Sequence, residues 1–205
     1  MKFLRLIFTT IWRALLPLRG NRTGRALAFA LLIAAPLAQA QINEYEVKAA
    51  FLFNFALFTQ PIGTVTSAAP QVPPAGEAVA PPYRICIHGK DPFAAAAKSL
   101  VGRKVAGRVV LVVQDVGLGE LKTCQMIFIG EQEREAVRRV VNLVNGFPII
   151  TVIEAKEFPF AISLGVMFNL ILVDEKVAFQ VNTVAAKNQQ LDVSAKLIRL
   201  AKNVH

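Results

Sequence analysis

Three short apolar runs, at 109–113 (VVLVV), 125–129 (QMIFI) and 148–153 (PIITVI), constrain the fold of this chain more than any other feature. Each is short for a helix and lacks an alternating polar face, which is the pattern of strands covered on both sides. Between the second and third lies 131–145. Its acids Glu131, Glu133 and Glu135 crowd one end, Arg138 and Arg139 come later, and Val137, Val140, Val141 and Val144 form one apolar stripe before Gly146 stops the helix. Upstream, 83–88 is a β-rich run ending at Gly89, and Asp91-Pro92 supply the N-cap and first position for a helix over 93–100. This alternation predicts an α/β domain built on a mainly parallel sheet with helices on both faces. Near the C-terminus, 166–173 and 176–182 flank Asp174-Glu175 and predict an antiparallel hairpin added to the sheet, although that turn lacks the preferred Gly. Two helical pieces are expected to close the domain. The last of them, 193–204, would turn Leu197, Ile198, Leu200, Ala201 and Val204 inward and Lys196, Arg199 and Lys202 outward.

The formal charge of +9 points first to nucleic acid, but the basic residues are unevenly placed. Residues 1–40 hold Lys2, Arg5, Arg13, Arg19, Arg22 and Arg25 and no acid, so 17 basic and 14 acidic residues remain in 41–205. A balance of +3 is too weak for phosphate binding, and no nucleic-acid partner is expected. The basic stretch, the apolar run 26–37 and Ala38-Gln39-Ala40 follow the order of a secretory signal peptide, which predicts export and cleavage after Ala40. The apolar run is shorter than the roughly 20 residues needed to span a bilayer. The alternative is an uncleaved anchor, since 3–18 adds a second apolar stretch, interrupted by Arg5 and Arg13. No cysteine stands near the cut, which argues against a lipoprotein. The expected product is one periplasmic domain over 41–205.

The first element of that domain reads as a helix over 43–59, with Asn43 as N-cap and Glu44 and Glu46 in the first turn. Phe51, Phe55 and Phe58 fall on one stripe and Ala50, Phe53 and Leu57 on another, so apolar surface covers most of the circumference. Such a helix either packs between the sheet and a second layer of its own domain or offers a face to another chain. On the second reading Phe53 and Leu57 are the candidate partner or dimer contacts. The Pro-rich segment 61–82 that follows reads as an extended surface loop.

The search for chemistry is mostly negative. His88 and His205 are the only histidines, and neither has Cys or carboxylate companions at metal-ligand spacing, so no metal site is expected. Gly89-Lys90 and Gly117-Leu118-Gly119 each lack most of a phosphate-binding fingerprint. No Ser-His-acid set or Cys-His pair stands out, which makes an enzyme the least favoured class; no cofactor is implied. His88, Gly89 and Asp91 sit where a strand gives way to a helix, the place where α/β sheets bind ligands, and form a candidate small-molecule crevice. A lone His there is more often an ordinary loop residue. Cys86 in the first strand and Cys124 at the opening of the third can be cross-strand neighbours, since the third strand of a doubly wound sheet usually lies beside the first. In an oxidising compartment the pair is expected to be a disulfide, the alternative being two buried thiols.

Residues 44–56 (EYEVKAAFLFNFA), then 85–87 (ICI) with Gly89 and Asp91-Pro92-Phe93, then Cys124 followed by 127–130 (IFIG), closely resemble the periplasmic YfiR family. The likeness continues in order through 165–170 (GVMFNL), 177–182 (VAFQVN) and 194–201 (SAKLIRLA), covering nearly all of 43–203. The opening helix block is its most specific part. The resemblance implies a dimeric periplasmic α/β protein that binds the periplasmic part of an inner-membrane diguanylate cyclase, or a related sensor kinase, and holds it inactive. An outer-membrane lipoprotein would draw it away and raise cyclic di-GMP. Matched by motif, the family's stabilising disulfide falls on Cys86 and Cys124. The chain departs from the pattern at Leu57, where the family usually has lysine, at Thr59-Gln60, which lack an aromatic before Pro61, and at Ala195, where a serine is common.

The leading expectation is therefore a regulatory binding protein acting on a membrane signalling enzyme. The runner-up is a periplasmic small-molecule sensing module using the crevice at His88, Gly89 and Asp91.

Overall fold

The computed structural model describes residues 44–63, 80–155 and 160–205. The expected leader over 1–40 and its cut, and most of the expected loop over 61–82, lie outside the described residues.

The first element among the described residues is helix α1 (Glu44–Phe58), which runs into the short strand β1 (Thr59–Pro61). Strand β2 (Tyr83–His88) follows. Next come a single 3-10 turn (Ala96–Leu100), the tight hairpin of β3 (Lys104–Val105) and β4 (Arg108–Val113), a second 3-10 segment (Leu118–Thr123) and β5 (Met126–Ile129). Helix α2 (Arg134–Val144) leads to β6 (Ile150–Ile153). A short helix α3 (Phe160–Ser163) precedes the hairpin β7 (Phe168–Val173) and β8 (Lys176–Val181). The end of the chain is α4 (Thr183–Asn188), β9 (Leu191–Val193), α5 (Ala195–Ile198) and β10 (Asn203–Val204).

Eight strands form one sheet in the order β10-β8-β7-β6-β5-β2-β4-β3, while β1 and β9 pair separately. The pairings β4–β2, β2–β5, β5–β6 and β6–β7 are parallel, and β7–β8 is antiparallel. The α/β class, the mainly parallel sheet and the added hairpin are thus as the sequence predicts. The hairpin turns without glycine because Asp174 and Glu175 both take positive φ, at 49° and 61°. Asp is among the residues that tolerate that region most readily.

Helices cover both faces, and β5 and β6 are accordingly buried at every position. On one side Ile85, Ile87, Phe128 and Val152 meet α1, the Ala96–Leu100 turn and Leu197 of α5. On the other, Cys86, Ile127, Ile129 and Ile153 meet the Val137, Val140, Val141 and Val144 stripe of α2. Helix α1 is wedged against the sheet by its aromatics. The Phe55 ring stacks on Phe168 at 4.1 Å and meets Phe179 edge-on at 5.0 Å, and Phe51 lies 5.4 Å from Phe179.

Three expectations are corrected. The helix expected over 93–100 shrinks to the Ala96–Leu100 turn. Asp91 does cap, its Oδ1 accepting from the N–H groups of Phe93 and Ala94, but Ala94 has φ +39° and breaks the helical path. That conformation lets Phe93 drop into the core against Phe128 and Tyr45. The run at 109–113 is not covered on both faces: Val109 and Leu111 are 46% and 40% exposed, because β4 lies next to the sheet edge, beyond the reach of α2. The helix expected over 193–204 is instead β9, α5 and β10. Pairing of Leu191, Asp192 and Val193 with β1 holds the first part extended, and Ser194 then caps α5 by accepting from the Leu197 N–H. Lys202 and His205 donate backbone N–H groups to Phe179 and Val181, which draws the last residues onto the sheet edge and leaves Leu200 outside, 67% exposed.

Candidate functional site

Sheet topology brings Cys86 and Cys124 together, as the sequence suggested. The loop between β2 and β4 crosses to one side and β5 returns to the other, so Cys86 pairs in register with Ile127, three residues beyond Cys124. The two cysteines form a disulfide with Cα atoms 6.0 Å apart, buried in the cluster under α2. The bond ties the second 3-10 segment, which ends at Thr123, to the middle of the sheet.

The strand order reverses between β2 and β5, and the sequence-predicted crevice residues sit at that point. Each makes contacts with the chain's own loops. His88 Nδ1 lies 2.6 Å from the Val116 carbonyl oxygen, which it satisfies as a donor. Asp91 caps Phe93 and Ala94 with one oxygen and accepts from the Gln114 amide with the other. Gly89 has φ +80° and lies under the Glu131 carboxylate, where a Cβ would fall 2.7 Å from Oε1. The neighbouring Gly130 donates its N–H to the His88 carbonyl, and a Cβ on it would overlap the Lys90 carbonyl oxygen at 2.0 Å. His88 Nδ1, both Asp91 carboxylate oxygens and the Gly130 N–H thus help to close the loops over the strand ends.

Of the two α1 positions singled out for contact with another chain, Phe53 lies in the domain's own core, 7% exposed, with the Arg103 guanidinium 3.5 Å from its ring centroid. Leu57 is half-buried at the border of the same cluster. The two are therefore not equivalent: Phe53 is packing, and Leu57 retains accessible surface.

The sequence reading missed a buried polar network on the same helix. Lys48 is fully buried, and its ammonium donates to Glu44 one turn earlier and to Glu154 Oε1 at 2.6 Å. The Tyr45 ring lies 4.8 Å away. Burial works to lower the Lys48 pKa, but hydrogen bonds and charge attraction from Glu154 and Glu44 outweigh it and hold the amine above its ordinary value. Glu154 directly follows β6, and the next residue continues the network: Ala155 donates its N–H to Asn169 Oδ1 at 2.9 Å, and Asn169 Nδ2 donates to Gln180 Oε1 at 2.9 Å. The legible signal was a single lysine in an otherwise apolar stretch, four residues after a glutamate. Glu154 could not be found that way, being 106 positions distant.

Elsewhere, burial raises the Tyr83 phenol pKa, partly opposed by Arg108. Among the described residues no group of three or more His, Cys, Asp or Glu side chains could hold a metal ion, and no helix is long and apolar enough to cross a membrane.

A family model described as YfiR/HmsC-like matches residues 45–202. No curated protein matches. Among solved structures, one described as the ABC domain in complex with L-Trp from Streptococcus pneumonia is 10% identical, with a TM-score of 0.38. The alignment covers 60% of this chain and 54% of that one, so this chain spans about half the length of that protein, and at such a score the likeness carries no argument.

Proposed function

Since the chain belongs to the YfiR/HmsC-like family, we propose that it regulates cyclic di-GMP signalling from the periplasm by binding the periplasmic region of an inner-membrane diguanylate cyclase, or of a related sensor kinase, and holding it inactive. The observation that carries this reading is the match over 45–202, which takes in nearly the whole described fold. Two features of the site support a binding role over catalysis. The polar groups at the topological switch point are engaged by the chain's own loops, and the buried Lys48 is neutralised by two carboxylates, which leaves it no free base for chemistry. In this scheme an outer-membrane lipoprotein relieves the inhibition by competing for the protein, and the working form is a homodimer.

The test is a clean deletion, with cyclic di-GMP measured while the membrane signalling protein is expressed. Cyclic di-GMP should rise in the deletion strain and fall again when the wild-type chain is returned. An unchanged level would remove the cyclase-restraint reading and favour the small-molecule module.

A further inference from the structure

On the face of the sheet that α2 covers, the cover stops short of β4. Arg84 on β2 and Leu111 on β4 are register neighbours, two residues before the Cys86–Val113 pair packed in the cluster under α2, so they project from the same face as the disulfide. Alternation along β4 places Val109 on that face as well. Leu111 and Val109 are both exposed there. Between them and the disulfide, Arg84 has its Nε shut off from solvent with no hydrogen-bond acceptor. The ion pairs of Lys48 with Glu44 and Glu154, and of Arg138 with Glu135, do not involve Arg84. At the same end of the sheet the exposed Phe147, just before β6, has the Lys122 ammonium 4.4 Å from its ring centroid.

A guanidinium N–H withdrawn from water without an acceptor is a cost that the isolated domain carries unrepaid. An unneutralised arginine and an accessible aromatic, set among exposed aliphatic side chains, include the residue types enriched where proteins meet. What this patch lacks is negative charge. A second copy does not supply it, because a two-fold contact through this face would bring together two patches that each carry Arg84 and Lys122. We propose that Arg84, Leu111 and Val109, with Lys122 and Phe147 alongside, dock a carboxylate-bearing apolar segment of a partner protein. Resting on the reading above, that partner is the periplasmic region of the membrane signalling enzyme.

The full-length chain is expressed from a titratable promoter in the deletion strain, as wild type, Arg84→Glu, Leu111→Asp, and Val184→Asp as a control on the exposed surface of α4. Arg84→Glu and Leu111→Asp should need at least roughly tenfold more protein to lower cyclic di-GMP, with melting temperatures near wild type, whereas Val184→Asp behaves as wild type. A photocrosslinking residue at 111 provides a second measurement that does not depend on these variants folding. It should form an adduct with an acidic periplasmic peptide of a cyclase, and Arg84→Glu should abolish it. Adducts only with lipid or with a second copy of this chain would overturn the proposal, as would two folded variants that titrate like wild type. If deletion itself leaves cyclic di-GMP unchanged, the regulatory reading falls on its own. The surface is then decided by the crosslink: an Arg84-dependent adduct with an acidic protein keeps it, and no such adduct removes it.

Discussion

The Lys48 ammonium lies 2.6 Å from Glu154 Oε1 and so joins the second turn of α1 to the end of β6, across more than a hundred residues of sequence. A fully buried amine is tolerated here because Glu44, from the same helix, adds a second carboxylate. Both acids keep partial access to water, at 40% and 25%. They therefore serve as bridges from the buried charge to solvent.

Replacing Lys48 by alanine removes the cation and leaves a void and two crowded carboxylates. Breaking a fully buried pair costs about 3–5 kcal/mol; discounting for the exposed acids leaves about 1–3 kcal/mol. Melting should fall by several degrees, and Lys48→Met, which retains the volume, should lose less. Equal melting temperatures for wild type and Lys48→Ala would show that the pair adds nothing.

The same pair has a pH signature. The Lys48 pKa is higher in the folded protein than in the unfolded chain, so its contribution is complete below about 10.5 and is lost as pH rises through the folded value. Wild type should accordingly lose its stability advantage over Lys48→Met in strongly alkaline buffer. Chemical denaturation of both proteins from neutral pH into that range measures the difference. A constant gap would contradict the raised pKa.

The buried Cys86–Cys124 bond closes a loop of 38 residues. On the chain-entropy model this is worth about 4 kcal/mol. With both sulfurs enclosed under α2, a mild reductant should leave the native protein oxidised and act only once it unfolds. Quantitative alkylation with and without denaturant reads this directly, and melting of the fully reduced protein should occur well below that of the oxidised form. Prompt native-state labelling of either cysteine would mean that the bond opens without unfolding.

What was legible in the sequence depended on the range of the interactions. The apolar runs predicted β5 and β6, and the valine stripe predicted α2, because a strand or helix covered by its own layer shows that cover in its own residues. Asp91 capped as expected, yet no helix followed over the full span, since burial of Phe93 against Phe128 outweighed the local preference. The helical pattern over 193–204 survives only as α5, because Val193 pairs with β1 and Asn203 and Val204 pair with β8. At the candidate site, the usual strand order of a doubly wound sheet suggested that the cysteines are neighbours, and an oxidising compartment and the family resemblance suggested the bond. The Lys48–Glu154 contact did not, because nothing near Glu154 in the sequence distinguishes it from a surface acid.

The two α1 positions once grouped as contacts should behave differently. Phe53 is enclosed by the core and Arg103, so Phe53→Asp places a carboxylate there, and even Phe53→Ala should cost about 3–5 kcal/mol. Either change should show as a large drop in melting temperature or a loss of soluble protein. Leu57 lies at the border of the same cluster, and a lysine there can extend its ammonium into water while its stem covers the apolar neighbours. Leu57→Lys should therefore keep its stability within about 0.5 kcal/mol of wild type, in the range of surface substitutions. A folded Leu57→Lys that no longer restores low cyclic di-GMP to the deletion strain would make this end of α1 part of the working interface. Full restoration would leave Leu57 with packing alone, and unfolding by Leu57→Lys as severe as that by Phe53→Asp would show that position 57 is as enclosed as position 53.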